Sequence, residues 1–332
     1  MTLHRKAVSL ALLFLIALSL SGCQGDKPSQ WAPGKPLDKG EIIIGIIYID
    51  NGEGAWSQAH DRGLREAQRD LGLRDEQIIR KYNVPDVDAE ITEFAISTAI
   101  AEGANIIIAT SWGFMDVCEQ LAGEHPHVVF AHASGYKHNG TNLTNYFGRI
   151  DQARYLAGIA AGLRTETGKI GFVAAQGVDN SEVTRGLNAF ALGVESVNPR
   201  ARIYVNVTHS WYYPGGERSA AQRLIAEGCD VIAQHCDTAE PQMAAGQAGA
   251  WGIGYNVDMS GEAPDSALTS VIWNWGIYYK YLIGNIIECS VFFVIKRKPC
   301  SIFTHISISP CPYISSSYSS SSSKTSSISS SI

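Results

Sequence analysis

The feature that most constrains the fold is an alternation of short β-branched runs and amphipathic segments that begins near Glu41. Residues 41–50 (EIIIGIIYID) form a nearly uninterrupted apolar run, which is typical of a strand buried on both faces of a parallel sheet. Residues 56–71 follow with apolar side chains at helical spacing, and Gly72 comes directly after them. Because repeated βαβ units place helices on both faces of a parallel sheet, the alternation predicts an α/β fold.

The alternation runs in two series, which indicates two doubly wound lobes. We predict an N-terminal lobe at 41–150, a C-terminal lobe at 151–258, and a crossover and helix at 259–288 that return to the first lobe. The predicted strands are 41–50, 78–82, 105–111, 128–133, 169–175, 201–208, 230–235 and 252–257. The predicted helices are 56–71, 88–102, 114–124, 152–164, 182–197, 217–227, 241–249 and one opening at Trp275.

The N-terminus carries a pattern typical of export. A short basic start is followed by an apolar run at 7–20. That run is shorter than the roughly 20 apolar residues that cross a bilayer, and its length suits the apolar region of a secretory signal. We therefore predict a signal peptide at 1–22 and a flexible tether at 23–40.

The end of this predicted signal indicates a lipid anchor. Residues 20–23 read LSGC, which resembles the lipobox of bacterial lipoproteins, in which Cys23 would be lipidated. The resemblance places the protein at the outer face of the cell membrane. An ordinary secretory signal with an incidental cysteine is the alternative.

The C-terminal segment departs from the rest of the chain. After Glu288 the alternation stops, and residues 289–332 are dominated by serine. Low-complexity serine cannot bury a core. We predict that this tail is disordered or the product of a shifted reading frame, and a genuine flexible tail is the alternative.

Charge and cysteine content exclude several classes of protein. The formal net charge is −6, with 17% charged residues, so a nucleic-acid partner is not expected. Cys118, Cys229 and Cys236 each lie inside an apolar stretch, which favours buried, reduced thiols over a disulfide framework. His235 and Asp237 would share one strand face and Cys236 the other. We expect no metal site and no cofactor.

Tryptophans gather where a ligand would bind. In open α/β sheets, ligands bind beyond the carboxyl ends of the strands. Five of the seven tryptophans follow predicted strands: Trp56, Trp112, Trp211, Trp273 and Trp275. Stacking on an aromatic ring is worth about 1–3 kcal/mol per base, and nearby carboxylates accept hydrogen bonds from ring N–H groups or hydroxyls. The pattern favours a flat, heteroaromatic ligand, whereas a hydrophobic cover over the lobe edge would explain each tryptophan taken singly.

Several segments resemble the basic membrane lipoprotein family, which comprises substrate-binding lipoproteins of ABC importers. They are GIIY at 45–48, WSQAHD at 56–61, TSWGFMD at 110–116, FAHASGY at 130–136, YLAGIAA at 155–161, GVESVNP at 193–199 and GCDVIAQH at 228–235. The resemblance extends from about residue 41 to 287 and implies a type I periplasmic-binding-protein-like fold with no catalytic residues. Several family members take purine nucleosides or free purines, and the tryptophan-rich subgroup includes adenine-type binders.

The resemblance also implies site residues. Trp56 and Trp211 would grip the base from opposite lobes, and Trp112 would line the pocket on the first lobe's side. The polar anchors would be Asp237, Asn256 and Asp258 from the second lobe and Asn51 or Gln58 from the first. The family often has an acidic residue near Tyr213 and a lysine near Trp273 or Asn274. Neither is present here, which weakens the case for ribose binding.

The function implied is capture of a purine base or nucleoside between two closing lobes, with delivery to an ABC permease and its ATPase. The lobes would hinge near residues 146–151 and 258–267. Two alternatives stay open. One is a nucleoside hydrolase or ribosyl-transfer enzyme that uses Asp237 and Asp258, and the other is a sensor or adhesin that works without a transporter.

Overall fold

The structure is a computed structural model that describes residues 35–288 and the backbone of residues 305–307. Cys23, the predicted signal and most of the tether lie outside the described residues, as does nearly all of the tail. Across 35–288, none of the helices is both long enough and apolar enough to cross a bilayer.

The first sheet has five parallel strands. These are β1 (Ile44–Ile47), β2 (Ile78–Lys81), β3 (Ile106–Ala109), β4 (Val129–Ala133) and β5 (Leu143–Tyr146). The order across the sheet is β2-β1-β3-β4-β5, with Ile44 of β1 opposite both Ile78 and Ile106. Every residue of β1 is buried, as expected for a central strand covered on both faces.

Three helices accompany this sheet, and their ends follow ordinary capping rules. They are α1 (Ala55–Leu71), α2 (Ala89–Ala101) and α3 (Met115–Glu124). The Asp88 side chain accepts from Ile91 N at 3.1 Å and so caps α2. A core of strand residues such as Ile107 and Phe130 packs with helix residues such as Ile96 and Leu121. Burial of side chains this size stabilises by about 1.5–3 kcal/mol each.

The second sheet has six strands. They are β6 (Lys169–Ala174), β7 (Arg202–Val207), β8 (Val231–His235), β9 (Trp251–Asn256), β10 (Ala267–Ile272) and β11 (His305–Ser307). The order is β11-β10-β9-β8-β6-β7. Only β11 runs antiparallel to its neighbour, β10, among the strand pairs that the structure describes. The remaining helices are α4 (Ile150–Arg164), α5 (Ser181–Val197), α6 (Pro214–Ala226), α7 (Glu240–Gln247) and α8 (Trp275–Ile287).

Helices α4 and α5 pack closely because two glycines face the opposing backbone. A Cβ on Gly158 would lie 2.0 Å from the Phe190 carbonyl oxygen, and one on Gly193 would lie 2.0 Å from that of Tyr155. Neither position can hold a side chain without separating the helices. This contact fixes α5, whose first turn lies at the carboxyl edge of the second sheet.

The chain forms two compact units. The first comprises the described residues of 1–51, 65–147 and 278–300, and the second those of 52–64, 148–277 and 301–332. The two parallel-sheet units confirm the predicted α/β class. Their bounds differ from the predicted lobes because the start of α1, with Trp56, packs on Trp273 and Trp275 of the second unit.

Three strands escaped the sequence prediction: β5, β10 and β11, of which β11 lies in the segment 289–332 that was predicted to be disordered or frame-shifted. Strand β5 has the burial pattern of a sheet edge, and its partly buried Thr144 and Asn145 interrupt the apolar run. Strand β10 lies in the segment predicted as a crossover, yet it pairs in parallel with β9, with Val271 opposite Tyr255. Residues 267–272 are therefore a strand of the second sheet, and the segment 259–277 belongs to the second unit.

The three cysteines in the described range are free and buried. Cys118 lies in the core of the first unit, and Cys229 and Cys236 lie in the core of the second. Burial raises the pKa of the Cys118 thiol to about 12. These side chains behave as small apolar core residues, as the sequence predicted.

Candidate functional site

The carboxyl edge of the first sheet exposes an aromatic pair. Trp112 begins a one-turn helix after β3 and is 37% exposed, and Tyr136, after β4, is 66% exposed. Their ring centroids are 6.0 Å apart with the planes at 64°. Trp112 thus lies at the edge where the sequence placed it, while Tyr136 was not predicted as a site residue although it ends one of the segments that resemble the family.

Two buried groups hold the Trp112 turn in place. Ser111 Oγ donates to Asp86 Oδ2 at 2.5 Å, and His132 Nε2 is 2.7 Å from the Ser111 carbonyl oxygen. Burial lowers the pKa of His132 to about 4, so its ring is neutral and Nε2 carries the proton that it donates. A Cβ on Gly113 would lie 2.0 Å from the Asp86 carbonyl oxygen, so glycine is required there.

Asn51 and Gln58, the polar anchors predicted for the first lobe, are both exposed. Asn51 lies in the first unit, just beyond β1. Gln58 lies in the second unit, where its Nε2 donates to the Glu53 carbonyl oxygen at 2.6 Å.

Three tryptophans and a histidine form one cluster in the second unit. The Trp273 and Trp275 rings stack at 4.5 Å, and Trp56 meets both edge-on at 5.8 and 5.6 Å. His60 stacks on Trp275 at 4.7 Å. Burial lowers the pKa of His60 well below its usual value, so a neutral imidazole completes the cluster.

This cluster changes the role predicted for Trp56. Trp56 is only 8% exposed, its rings pack on those of Trp273 and Trp275, and it belongs to the same unit as Trp211. Trp56 and Trp211 were predicted as an aromatic pair from opposite lobes, and the structure does not support that pairing. The physical reason is that an indole gains more from packing against two buried indoles than from standing exposed at an edge.

Asp237 and Asn256 occupy the carboxyl ends of β8 and β9 and form a short buried chain. Asn256 Nδ2 donates to Asp237 Oδ1 at 2.8 Å, and Asn256 Oδ1 accepts from Trp273 Nε1 at 2.8 Å. The Asp237 carbonyl oxygen also accepts from Ala55 N at 2.8 Å. Asn256 has φ +70°, the left-handed region that asparagine tolerates better than most residues.

Asn256 joins two residues of this edge. Its side chain is fully buried, and its amide is hydrogen-bonded to Asp237 and to Trp273. It holds the Asp237 and Trp273 side chains in place, and its predicted contact with a ligand stays a prediction. Asp237 remains at the edge with a small exposed fraction of 4%.

Trp211 and Asp258 lie in two further turns of the second unit. Trp211 is half-buried against the core of this unit, and its carbonyl oxygen accepts from Asp237 N at 2.9 Å. Asp258 is exposed, and its Oδ1 accepts from Ser260 N at 3.0 Å. The structure thus brings Trp211 beside Asp237 and leaves Asp258 in a surface turn.

A buried ionisable group supports the carboxyl end of β8 from inside. Arg154 is fully buried, its Nη1 donates to the Gln234 carbonyl oxygen at 2.7 Å, and its guanidinium lies 4.1 Å from the Tyr255 ring centroid. Burial raises the pKa of Glu182 to about 7, an effect that the charge of Arg154 opposes. Burial, with a contribution from Arg154, lowers the pKa of His235 well below its usual range. None of these residues was predicted to support the site.

Metal binding has no support from this geometry. No cluster of three or more histidine, cysteine, aspartate or glutamate side chains with metal-binding geometry occurs within residues 35–288. In the second unit, Trp211 provides an indole face and Asp237 a carboxylate on neighbouring turns. An indole can stack on a flat ring, and a carboxylate can accept hydrogen bonds from the edge of that ring.

Comparison with known proteins agrees with this fold. The profile of the Bmp family, described as PnrA-like ABC transporter substrate-binding protein, matches residues 50–294. A solute-binding protein of an ABC transporter from Conexibacter woesei superposes with a TM-score of 0.60 at 19% identity, covering 75% of this chain and 82% of that one. This likeness supports the predicted periplasmic-binding-protein-like fold.

Two relatives share a higher sequence identity with this chain than the superposed solute-binding protein does. A putative ABC transporter glucose-binding protein of Haloferax volcanii is 36% identical over 258 residues, 77% of this chain and 64% of that protein. A purine-binding protein of Brucella abortus is 36% identical over 240 residues, 72% of this chain and 67% of that protein. The chain thus spans about two thirds of the length of these relatives. It belongs to the PnrA-like family of ABC transporter substrate-binding proteins, which are binding proteins rather than enzymes.

Proposed function

We propose that this protein is the substrate-binding component of an ABC importer and that its ligand is a purine base or nucleoside, which it delivers to a permease. Family membership supports the transport role. The purine-binding relative supports the ligand class. Free purine bases are favoured over nucleosides because the chain has no lysine near Trp273 or Asn274.

One observation carries the ligand assignment: the Trp211 main chain and the Asp237 main chain are joined by a hydrogen bond of 2.9 Å. That bond sets an indole ring and a carboxylate on neighbouring turns at the carboxyl edge of one sheet. A purine presents a flat face for the indole, and its ring N–H or exocyclic amine donates to the carboxylate.

A sugar is the second candidate ligand. It is favoured by the 36% identity to a putative glucose-binding protein. Sugars also pack on aromatic rings, and their hydroxyls also donate to carboxylates. The two candidates therefore need a direct measurement.

Titration of the purified protein with adenine, guanosine, glucose and glycine, followed by tryptophan fluorescence and calorimetry, separates the candidates. We expect saturable binding of a purine and none of glycine. Binding of glucose without any purine would refute the purine assignment and leave the family role intact.

The variant Asp237→Asn tests the named carboxylate. The change is isosteric and removes the charge, so we expect purine affinity to fall by about tenfold. Asp265→Asn is the matched control, because Asp265 is exposed and precedes β10 at the opposite edge of the sheet. Equal affinity of the Asp237 and Asp265 variants would exclude Asp237 as a ligand contact.

We also propose that Cys23 carries a lipid anchor that holds the protein at the outer face of the membrane. The LSGC run supports this. Metabolic labelling with a radioactive fatty acid should label the wild-type protein and leave Cys23→Ser unlabelled. Equal labelling of both would refute the anchor.

A further inference from the structure

Two loops carry the residues assigned to ligand contact in the second unit. The β7–α6 loop, residues 208–213, carries Trp211, and the β8–α7 loop, residues 236–239, carries Asp237. Their relative position decides whether the indole face and the carboxylate can meet the same ring. Asp237 N donating to the Trp211 carbonyl oxygen is one bond between them.

A second and stronger connection runs through Glu217 in the first turn of α6. The Glu217 side chain is fully buried. Its Oε1 accepts from Tyr213 N at 2.8 Å, and its Oε2 accepts from Thr238 N at 3.0 Å and Thr238 Oγ1 at 2.6 Å. One carboxylate therefore binds the end of the β7–α6 loop with one oxygen and the centre of the β8–α7 loop with the other.

The two ends of this connection are themselves fixed. Glu217 N donates to the Tyr213 carbonyl oxygen at 2.8 Å in the first helical hydrogen bond of α6, so the main chain of Glu217 is fixed by the helix. Below Thr238, Gln234 Nε2 donates to the carbonyl oxygens of Cys236 at 2.9 Å and Thr238 at 2.7 Å. The β8–α7 loop is thus held from the helix side and from the strand side.

The chemistry favours a carboxylate at this position. Three donors converge on the two carboxylate oxygens, and no donor is needed in return. Hydrogen bonds to an ionised acceptor are shorter and stronger than neutral ones, and a buried acceptor that lost its donors would carry the full cost of desolvation. Neither loop can shift without breaking at least one of these bonds.

We propose that Glu217 is a positioning residue for ligand binding, whose carboxylate sets the distance between Trp211 and Asp237. The proposal rests on the proposed function, since it presumes that these two residues contact the ligand. Glu217 itself does not touch the ligand. It makes this half of the site preformed, so that little ordering of the two loops is needed on binding.

Glu217→Gln is the direct test. The amide has the same shape, but whichever way it is turned, its NH₂ group faces a main-chain N–H donor, of Tyr213 or of Thr238, so one of these two main-chain bonds is lost. We expect affinity for adenine to fall about tenfold or more. Glu195→Gln is the matched control, because Glu195 is exposed on α5. This variant should bind adenine with the affinity of the wild type.

A spectroscopic measurement separates positioning from a loss of stability. In protein labelled with 5-fluorotryptophan, the ¹⁹F resonance of Trp211, assigned through Trp211→Phe, should shift or broaden in Glu217→Gln without ligand. The resonance of Trp251, at the opposite end of β9, should stay in place. A variant that merely unfolds more easily would leave both resonances unchanged at low temperature.

The outcomes separate this proposal from the proposed function. If the wild type binds adenine and Glu217→Gln binds equally well with an unchanged Trp211 resonance, the positioning role is refuted. If the wild type binds no purine, the proposed function fails, and the Trp211 resonance still decides whether Glu217 holds the loop. Should Glu217→Gln not fold, Thr238→Val removes the Oγ1 bond to Glu217 Oε2, together with a long bond from Glu240 N, and keeps the Thr238 N bond to Glu217. It should give a smaller change in the same direction, and no change there refutes the proposal.

Discussion

The contact between Asn256 and Asp237 provides a sharp test of the buried chain at the carboxyl edge of the second sheet. The substitution Asn256→Asp keeps the shape of the side chain, the Oδ1 acceptor for Trp273 Nε1, and a residue type that tolerates φ +70°. It replaces the Nδ2 donor, 2.8 Å from Asp237 Oδ1, with a second carboxylate oxygen. The only intended change is therefore from a hydrogen bond to a repulsion.

The expected loss of stability follows from the 2.8 Å distance between the side chains of residues 256 and 237. Two unit charges 2.8 Å apart repel by about 6 kcal/mol at an effective dielectric constant of about 20. The two carboxyls reduce this repulsion by sharing one proton, which raises the pKa of one of them in the folded state. Domains of this kind are stable by only about 5–15 kcal/mol, so we expect a large loss of stability at neutral pH.

The sign of the pH dependence is specific. A carboxyl whose pKa is raised by folding binds more protons in the folded state than in the unfolded state, so its penalty grows as pH rises and disappears in acid. Urea unfolding followed by circular dichroism should show a deficit of several kcal/mol relative to wild type at pH 7.5. This deficit should shrink steadily towards pH 5.

The control is Asn188→Asp, because Asn188 is exposed on α5 and surface changes usually stay within about 0.5 kcal/mol. If Asn256→Asp were as stable as the control at pH 7.5, the Asn256–Asp237 bond would not support the site. A deficit that did not change with pH would show that the loss comes from packing rather than from charge.

Three further predictions concern the interior of the second unit and one helix of the first. Trp275→Ala should lower the free energy of unfolding by about 3–5 kcal/mol, since it removes a fully buried indole from the three-tryptophan cluster; a loss below 1 kcal/mol in urea unfolding would contradict the cluster. Gly158→Ala should destabilise by about 1–3 kcal/mol because its Cβ would meet a backbone oxygen at 2.0 Å. In α3, no atom lies within 4 Å of the position that a Cβ on Gly123 would take, so Gly123→Ala should stabilise by up to about 1 kcal/mol. Thermal melts of Gly158→Ala and Gly123→Ala that shifted in the same direction would refute the packing argument. Burial raises the pKa of Glu182 from 4.5 to about 7. Between these pH values the Glu182 carboxyl is protonated in the folded state and ionised in the unfolded state. The wild type therefore loses stability relative to Glu182→Gln as pH rises through that window. Unfolding curves at pH 5 and 8 with the same difference between the two proteins would refute the shift.

The order of strands and helices could be predicted from local patterns because parallel strands buried on both faces need continuous apolar runs. The run at 41–50 contains β1, and the helical spacing at 56–71 matches α1. Strand β5 was missed because an edge strand keeps polar residues such as Thr144 and Asn145. Strand β10 was missed because its polar Thr269 and Ser270 interrupt a short apolar run.

The site was predicted only in part. That Trp112, Trp211 and Asp237 lie just beyond strands β3, β7 and β8 follows from the chain order of a parallel sheet, so the sequence could locate them. That Asn256 is internal could not be predicted, because a polar residue at a strand end looks the same whether it faces a solute or a buried partner. Glu217 carried one readable signal, since it follows the Tyr213-Pro214 start of α6 as a capping acid.

The sequence by itself determined the class of fold and the alternation of elements, because these depend on which residues are apolar and at what spacing, and its motifs carried the resemblance to the family. Only the tertiary structure decided which polar and aromatic side chains are used inside the protein and which stay at its edge. Burial and hydrogen-bond partners come from segments separated in the chain: Trp56 packs on Trp273, and Glu217 in α6 accepts from Thr238 beyond β8. No local pattern records such partners, since they exist only after the sheet has set its strands side by side.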